Sequence, residues 1–335
     1  MSNPRVAVIG AGVSGLISAR TLQAHACSVT LFDKSHSPGG RTATRRTEPG
    51  LSFDQGAQYF LARDSQFKTF VEQCIQQAVV AEWNGPIVDI DGKKVESRSE
   101  NSARYVGVPT MKAIATHLAK EFTVHCDTRI VGLTRDNDRW QLTDANGQIF
   151  DPFDYVIVSL PAPQAAVLLD NHALADEVRT FPMTPCWAVL AAFESRVDVP
   201  WDGAFIHGSP LSWVARNSSK PGRNPAIDCW VLHASSDWSC ASLEAPRESV
   251  AAELLSAFSQ AVPVSLPPTI HVDAHRWLLC ATPVLTDQLA LFDPTSRMAV
   301  CGDWLAGGQV EGAFRSGVAA AENILRDAGM LTNRR

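Results

Sequence analysis

The stretch Arg5-Val6-Ala7-Val8-Ile9-Gly10-Ala11-Gly12-Val13-Ser14-Gly15 decides the fold of this chain. Its residues 6–9 are apolar and mostly β-branched, which predicts a buried parallel strand. Gly10 turns the chain, Gly12 allows a pyrophosphate to approach the backbone, and Gly15 lets the next helix pack against its strand. The stretch therefore predicts the strand, turn and helix that begin a Rossmann-like α/β domain.

The residues that follow this turn complete a site for a dinucleotide. Apolar residues keep helical spacing up to His25, and Ser28–Phe32 predicts a second strand that ends at Asp33. A carboxylate about 20 residues after the glycines is expected to accept hydrogen bonds from an adenosine ribose. The helix N-terminus adds the positive end of its dipole. The preceding strand, the glycine turn, the following helix and the acid at Asp33 occur in this order. This context favours a dinucleotide site over a merely glycine-rich turn.

A second glycine pair indicates which dinucleotide is bound. Pro38–Arg45 reads PGGRTATR, has no place in a plain nicotinamide dehydrogenase, and resembles the second glycine signature of two-domain FAD enzymes. In those enzymes the turn approaches the diphosphate, and the resemblance implies that Arg41 donates to it. Phe53–Phe60 similarly resembles the loop beside the isoalloxazine, and Tyr155–Pro163 resembles a strand-then-proline crossing near the nucleotide.

The C-terminal part of the chain resembles the closing motif of the same enzymes. Met298–Trp304 is followed by Glu311–Gly317, which places Asp303 after a strand and before a helix. The resemblance implies that Asp303 meets the ribityl and pyrophosphate region of FAD. It extends from residue 5 to about residue 320 of the chain.

Within the amine-oxidase-like flavoproteins, the chain resembles the renalase family. The stretches that carry this resemblance are GGRTATRR at 39–46, FDQGAQYF at 53–60, RYVGVP at 104–109, LPAPQ at 160–164, HRW at 275–277 and CGDW at 301–304. The resemblance implies an FAD-dependent oxidase that converts the 2-dihydro and 6-dihydro isomers of NAD(P)H to NAD(P)+. Dioxygen would reoxidise the flavin and give hydrogen peroxide.

The implied fold is α/β, with a Rossmann-like FAD domain and a substrate domain built on an antiparallel sheet, as in p-hydroxybenzoate hydroxylase and the amine oxidases. The nucleotide motifs occupy both ends and the middle of the chain, so the FAD domain is expected to be discontinuous. The FAD domain is expected at residues 1–70, 102–165 and 270–330, and the substrate domain at 71–101 and 166–269. Ala188–Phe193 and Ile227–Leu232 predict strands of the antiparallel sheet.

The motifs assign a set of residues to FAD, and the flavin is expected to be held without a covalent bond. Cys280 and Cys301 lie in different contexts, and neither forms the attachment motif of the amine oxidases. The residues expected to bind FAD are Gly10, Ala11, Gly12, Ser14, Gly15, Asp33, Lys34, Gly40, Arg41, Gly56, Ala57, Gln58, Tyr59, Ile130, Pro161, Asp303 and Val310.

Hydride transfer to flavin needs little acid–base help, so no catalytic side chain is assigned. The protein must supply a flat apolar slot closed by a few polar groups. The residues expected to line it are Gln58, Tyr59, Arg98, Arg104, Tyr105, His233 and Trp277. An arginine there would hold the phosphates of the substrate, although a solvated role for Arg98, a core role for Tyr59 and a structural role for His233 stay open.

Composition favours a cytoplasmic enzyme without indicating its reaction, and the small-molecule substrate and dioxygen are what the resemblance implies. The chain has 335 residues and a net charge of −6, which argues against nucleic acid as a partner. Its eight cysteines show no CxxC pair and no metal spacing, so reduced thiols and no metal are expected. The apolar stretch Val6–Ala19 contains the first strand and the glycine turn, so it is not interpreted as a signal peptide. No stretch reaches the ~20 apolar residues of a membrane span.

Two other interpretations stay open from the sequence. A flavin amine oxidase or desaturase acting on a small amine or a polyene would share nearly all the FAD motifs. Two facing aromatic side chains beside the flavin would favour the amine oxidase. A non-catalytic FAD-binding redox sensor is the third interpretation.

Overall fold

The protein is described from a computed structural model over residues 3–47, 50–98, 102–281, 286 and 288–332. Residues 99–101, which end one segment assigned to the substrate domain, and the first two residues of the predicted FAD domain lie outside this description. The chain forms two compact units. The first unit comprises Met1–Arg41, Ile114–Met183 and Ala281–Arg335, and the second comprises Thr42–Ala113 and Thr184–Cys280.

The strands, in chain order, are β1 Arg5–Ile9, β2 Ser28–Phe32, β3 Arg45–Thr47, β4 Leu51–Phe53, β5 Val80–Glu82, β6 Ile87–Asp91, β7 Lys94–Ser97, β8 Tyr105–Gly107, β9 Thr123–His125, β10 Ile130–Asp136, β11 Arg139–Asp144, β12 Ile149–Phe153, β13 Tyr155–Val158, β14 Thr184–Phe193, β15 Gly203–His207, β16 Leu211–Arg216, β17 Asp228–Ala234, β18 Thr269–Ala281, β19 Leu291–Asp293 and β20 Met298–Val300. The helices are α1 Val13–Gln23, α2 Ser65–Gln76, α3 Ala113–Ala119, α4 Ala162–Leu168, α5 Ala175–Arg179, α6 Ser236–Ala241, α7 Arg247–Ala261 and α8 Gln309–Asp327.

The first unit is built on a six-stranded sheet with the order β19-β20-β13-β1-β2-β9. Its strands are parallel except at the β19 edge. The predicted strands Arg5–Ile9 and Ser28–Phe32 are confirmed as β1 and β2, and Val6, Ala7 and Val8 are fully buried. Helix α8 lies so close to α1 that a Cβ added at Gly317 would fall 2.3 Å from the main-chain oxygen of Ser14. This is the Rossmann-like arrangement that the first glycine turn predicts.

The second unit is built on a seven-stranded sheet with the order β18-β14-β17-β16-β15-β6-β7. The predicted strands at 188–193 and 227–232 lie within β14 and at the start of β17, and they pair antiparallel. One pair, β15 with β6, is parallel, which the sequence does not predict. Alternate residues of the sheet pack against α7, for example Trp230 on Phe258 with ring centroids 5.0 Å apart. The remaining residues point to the opposite face, which carries the candidate substrate residues described below.

The two units divide the chain differently from the cofactor motifs. Residues 42–70, 102–113 and 270–280, which the motifs assign to the FAD domain, pack within the second unit, and residues 166–183 pack within the first. Packing defines the units, whereas motifs define the domains, so the assignment of an FAD and a substrate domain stays a prediction. Among the described residues, no helix combines the length and apolarity needed to cross a membrane.

Candidate functional site

The first glycine turn forms an open cradle at the N-terminus of α1. A Cβ added at Gly10 would lie 2.2 Å from the main-chain oxygen of Ser159, and one at Gly15 would lie 2.0 Å from that of Gly10. These two glycines are therefore required by packing. A Cβ at Gly12 would meet nothing within 4 Å, and no side chain caps the helix there. The open space next to uncapped N–H groups fits a phosphate-bearing cofactor.

Asp33 closes this cradle from the end of β2. Its carboxylate accepts hydrogen bonds of 2.7 Å from the main-chain N–H groups of Ala11 and Ser35. These two bonds fix the carboxylate beside the glycine turn, and each oxygen keeps a second lone pair. The arrangement suits the predicted bond from a ribose hydroxyl.

The second glycine turn lies directly on the first. Gly39 donates its main-chain N–H to the oxygen of Ala11 over 2.9 Å. A Cβ added at Gly40 would come within 3.5 Å of the Cα of Gly12. Two motifs that are separate in the sequence therefore form one backbone surface, which a side chain at either turn would obstruct.

Arg41 and Asp303, which the sequence analysis assigns to different parts of FAD, form a bidentate ion pair. Arg41 Nη1 lies 3.1 Å from Asp303 Oδ2, and Nη2 lies 2.5 Å from Oδ1. These two parallel hydrogen bonds orient both side chains, and the charges of Arg41 and Asp303 offset each other. Nearby in the chain, α8 begins after Gly308, which has no side chain to cap the helix.

The other first-unit residues expected to bind FAD lie at the ends of secondary-structure elements. Lys34 is exposed after β2 and donates to Gln164 over 3.4 Å. Ile130 begins β10, Pro161 precedes α4, and Val310 lies in the first turn of α8. The remaining four assigned residues, Gly56–Tyr59, belong to the second unit.

The turn after β4 is stabilised by hydrogen bonds between its own residues. The amide of Gln58 donates to the main-chain oxygens of Asp54 and Gly56, the latter over 3.1 Å. Its Oε1 accepts a hydrogen bond of 3.0 Å from Lys220 Nζ. Gln58 is buried, so in this structure its amide holds the turn together rather than presenting a polar edge to a ligand.

A buried ionic cluster, formed by Asp54, Lys220 and Arg223, supports this turn. The Asp54 carboxylate lies 2.5 Å from Arg223 Nη2 and 3.4 Å from Lys220 Nζ, and it accepts the N–H of Met111 over 2.9 Å. Burial alone would raise the pKa of Asp54, but the two cations hold it below its ordinary value. Burial lowers the pKa of Lys220 to about 8, although Asp54 opposes this shift. The cluster has one more cation than anion when Lys220 is protonated.

Sequence reasoning missed this cluster, because Asp54 and Lys220 are 166 positions apart. The one available signal is the stretch Lys220-Pro221-Gly222-Arg223, in which two cations flank a turn within an otherwise uncharged segment. A turn alone gives no indication that its charges are buried.

His233 and Trp277 meet on the main-chain oxygen of Gln55. His233 Nε2 lies 3.2 Å and Trp277 Nε1 lies 2.9 Å from that oxygen. A carbonyl accepts only, so the proton of the neutral imidazole is on Nε2. Burial lowers the pKa of His233 to about 4, and Lys220 contributes to this shift. His233 is therefore uncharged near neutral pH. His275 packs edge-on against Trp277, with ring centroids 4.5 Å apart.

An aromatic row crosses the face of the seven-stranded sheet that is opposite α7. The strand register pairs His233 with Trp213, and Trp213 with Phe205. Arg98 continues the row, because its guanidinium lies 4.4 Å from the Phe205 ring centroid. Tyr59 packs on the same row, 5.5 Å from Trp213. Three candidate substrate residues, Tyr59, Arg98 and His233, are thus brought together.

Arg104 and Arg98 line one cavity of about 480 Å³ in the second unit. Arg104 Nη2 donates to the oxygen of Gly85 over 2.7 Å, and its guanidinium lies 5.8 Å from the Trp83 ring. Arg98 pairs with Asp89 over 3.0 Å. Tyr105, the remaining candidate, packs against Phe60 with centroids 5.8 Å apart and is not among the residues that line this cavity.

Solved structures with the same fold include several oxidases. A candidate protoporphyrinogen oxidase from Exiguobacterium sp. 255-15 has a TM-score of 0.80 and 12% identity, covering 97% of this chain and 99% of that one. Cyclohexylamine oxidase from Brevibacterium oxydans IH-35A has a TM-score of 0.75 and 11% identity, covering 98% and 100%. A variant of putrescine oxidase has a TM-score of 0.76 and 13% identity, covering 97% and 99%. At these identities the likeness establishes the fold alone.

Among curated proteins, the mitochondrial protoporphyrinogen oxidase of Nicotiana tabacum is 46% identical over 56 residues. The match spans 17% of this chain and 11% of that protein.

Two family sequence models match the chain. The model described as an NAD(P)-binding Rossmann-like domain matches residues 8–74. The model described as flavin containing amine oxidoreductase matches residues 93–325, which is more than half of the chain. With the cradle described above, these matches show that the chain belongs to the flavin-containing amine oxidoreductase family and that its cofactor is FAD.

Proposed function

We propose that the protein oxidises the 2-dihydro and 6-dihydro isomers of NAD(P)H, as the renalase family does. One isomer molecule, one proton and one O2 are converted to NAD(P)+ and H2O2, so two electrons move from the dihydropyridine ring to dioxygen. FAD, held without a covalent bond, would supply the acceptor for the hydride at its N5 and the route of the two electrons to dioxygen. The proposal includes a cytoplasmic location, where free thiols stay reduced.

The residues of the first unit would hold the cofactor by its polar half. The space beside Gly12 and the uncapped N-terminus of α1 suit the pyrophosphate, and Asp33 suits the adenosine ribose. The Arg41–Asp303 pair suits the ribityl and phosphate region, since it offers both donors and acceptors.

The observation that carries the proposal is the aromatic row together with the two arginines of one cavity. The ring centroid of Trp213 lies 4.6 Å from that of Phe205 and 5.5 Å from that of Tyr59. These three side chains provide a flat apolar surface for an aromatic ring. Arg98 and Arg104 provide cations suited to a pyrophosphate. A dinucleotide combines these two features, a flat ring and a doubly charged linker.

The charges of the second unit also favour a dinucleotide over an amine. The cluster of Asp54, Lys220 and Arg223 has an excess of one positive charge when Lys220 is protonated. An ammonium substrate would be repelled by these cations, whereas a pyrophosphate would be attracted. His233 stays neutral and adds no negative charge.

An amine oxidase activity is the second candidate. Tyr59 and Trp213 form a tilted aromatic pair, with centroids 5.5 Å apart and planes at 55°. Two aromatic side chains beside a flavin would steer a neutral amine toward it. Putrescine oxidase and cyclohexylamine oxidase share the fold.

The test is aerobic turnover of the FAD-loaded protein with 6-dihydro-NAD and with 6-dihydronicotinamide riboside, which lacks the pyrophosphate. We expect equal amounts of NAD+ and H2O2 from the first substrate. Arg104→Met should raise its KM by about 10-fold or more, because charged hydrogen bonds contribute about 1.5–3 kcal/mol, and should leave that of the riboside nearly unchanged.

Arg179→Met, a change to an exposed ion pair on α5, is the matched control and should alter neither KM. Equal effects of Arg104→Met on both substrates would remove Arg104 from phosphate binding. Turnover of an amine without turnover of either isomer would establish the second candidate. Acid precipitation that releases all the FAD into the supernatant is expected, and yellow colour retained in the pellet would contradict non-covalent binding.

A further inference from the structure

The side-chain oxygen of Gln55 is a buried polar atom that no contact within the described residues explains. Gln55 is 8% exposed, and its Oε1 is buried without a hydrogen-bond partner. Among the described residues, its side-chain nitrogen has no partner either. Buried amides are normally paired, since they lose their hydrogen bonds to water. The group therefore points to a partner from outside the chain.

The backbone of Gln55 is held in place by two hydrogen bonds. Its main-chain oxygen accepts from His233 on β17 and from Trp277 on β18, over 3.2 Å and 2.9 Å. Moving the residue would break both bonds. Gln58, in the same turn, shows the opposite arrangement, because its amide bonds to two main-chain oxygens and to Lys220. The amide of Gln58 therefore stabilises the turn, whereas the amide of Gln55 is available to a ligand.

The chemistry of an amide restricts what this ligand can be. A primary amide offers a donor and an acceptor side by side, and rotation of its last side-chain torsion exchanges the two. Another primary amide satisfies both at once through a pair of hydrogen bonds. An ammonium group has donors only and satisfies one. Both isomers proposed above as substrates carry a carboxamide on the reacting ring.

We propose that Gln55 binds the carboxamide of the dihydronicotinamide ring and is the residue that selects pyridine nucleotides. This inference rests on the proposed function and names the group that recognises the ring. The side chains that hold Gln55 belong to the seven-stranded sheet, which also carries the aromatic row and Arg98. Ring, carboxamide and phosphates thereby each have a matching surface within the second unit.

The surroundings of Gln55 suit a neutral group. Burial lowers the pKa of His233 to about 4, so this neighbour is uncharged near pH 7. Its Nε2–H is already donated to Gln55. Trp277 contributes an apolar ring and a donor that is likewise in use. Lys220 is the nearby cation that shifts His233, and its charge faces Asp54 and Gln58. None of these three neighbours of Gln55 carries a negative charge that would attract an ammonium group in place of a neutral amide.

The test compares 6-dihydro-NAD with its 3-acetylpyridine counterpart, in which a methyl group replaces the carboxamide nitrogen. Anaerobic flavin reduction gives the second-order rate constant for each. We expect wild-type protein to prefer the carboxamide by about 10-fold. Gln55→Leu should bring this preference close to 1, because the carboxamide substrate loses two hydrogen bonds and the acetyl substrate, which has no N–H, loses only one. Gln260→Leu, at an exposed position of α7, should keep the wild-type preference.

The melting temperature separates recognition from a structural role. Because Gln55→Leu removes an unpaired buried amide, we expect no loss of melting temperature. If this variant fails to fold, the unbranched Gln55→Met takes its place. An unchanged preference, or an equal loss with both substrates, would overturn the role of Gln55 and leave the proposed function standing. Absence of flavin reduction by either isomer in wild-type protein would overturn both.

Discussion

Replacing the buried Lys220 by methionine should change how stability depends on pH. Lys220 is fully buried beside Asp54 and Arg223, and burial lowers its pKa to about 8 from 10.5. Between these two pH values the unfolded chain binds a proton that the folded chain lacks. Stability conferred by this residue therefore rises with pH, by about 1.4 kcal/mol per unit. From pH 8 to 9.5 the gain amounts to about 2 kcal/mol.

The assay is urea unfolding of the FAD-saturated protein at pH 7, 8 and 9.5. Saturation with FAD is needed, because a bound cofactor itself adds stability. The quantity of interest is the unfolding free energy of wild type minus that of Lys220→Met. Taking this difference removes the contribution that buried thiols make to the pH dependence in both proteins. Cys301 is one such thiol: burial raises its pKa to about 12, so its contribution to stability falls as the pH rises. The difference should grow by about 2 kcal/mol between pH 8 and 9.5.

Lys68→Met provides the matched control, since Lys68 is exposed on α2 of the same unit. The unfolding free energy of wild type minus that of Lys68→Met should stay constant within about 0.5 kcal/mol over the same pH range. If the Lys220→Met difference is equally constant between pH 8 and 9.5, the pKa of Lys220 in the folded protein lies close to its unfolded value. The lowering of this pKa by burial would then be wrong.

Three further substitutions test the cofactor cradle and the buried cluster. Gly12→Leu should fill the open space beside α1 and give a colourless protein with an unchanged circular dichroism spectrum, and a yellow variant would contradict the cradle. Asp303→Ala removes the partner of Arg41 and should raise the dissociation constant of FAD by about 10-fold or more, whereas an unchanged constant would exclude the pair from the site. Asp54→Asn leaves two buried cations without a counter-charge and should lower the unfolding free energy by about 3–5 kcal/mol, and a loss below about 1 kcal/mol in urea would contradict the buried cluster.

The strand, glycine turn and helix at the start of the chain were predictable from the sequence because their determinants are local. Gly10, Gly12 and Gly15 belong to one turn, and the acid at Asp33 follows at the spacing of a strand–helix–strand unit. The approach of Gly40 to Gly12 was not predicted, because local rules do not say how two separate turns pack on each other. The ion pair of Arg41 with Asp303 was not predicted, since each residue was assigned to FAD by itself.

The substrate face was predicted only in part, because it depends on how distant strands pair. Tyr59 and His233 were expected to line the slot, but Trp213 and Phe205 reach the same row through the register of β15, β16 and β17. A sequence gives the alternation of a strand but not which neighbour it pairs with. The unpaired amide of Gln55 has no sequence signal, since it is defined by what the folded chain leaves unbonded.

Anaerobic stopped-flow reduction of the bound flavin tests the central claim most directly. The purified protein would be mixed with 2-dihydro-NAD, 6-dihydro-NAD, ordinary NADH, putrescine and cyclohexylamine, and the flavin absorbance band followed. We predict rapid bleaching by at least one of the two dihydro isomers, and none by the amines. Bleaching by an amine while both isomers leave the flavin oxidised would contradict the proposed function, and bleaching by none of these compounds would favour a non-catalytic FAD-binding protein.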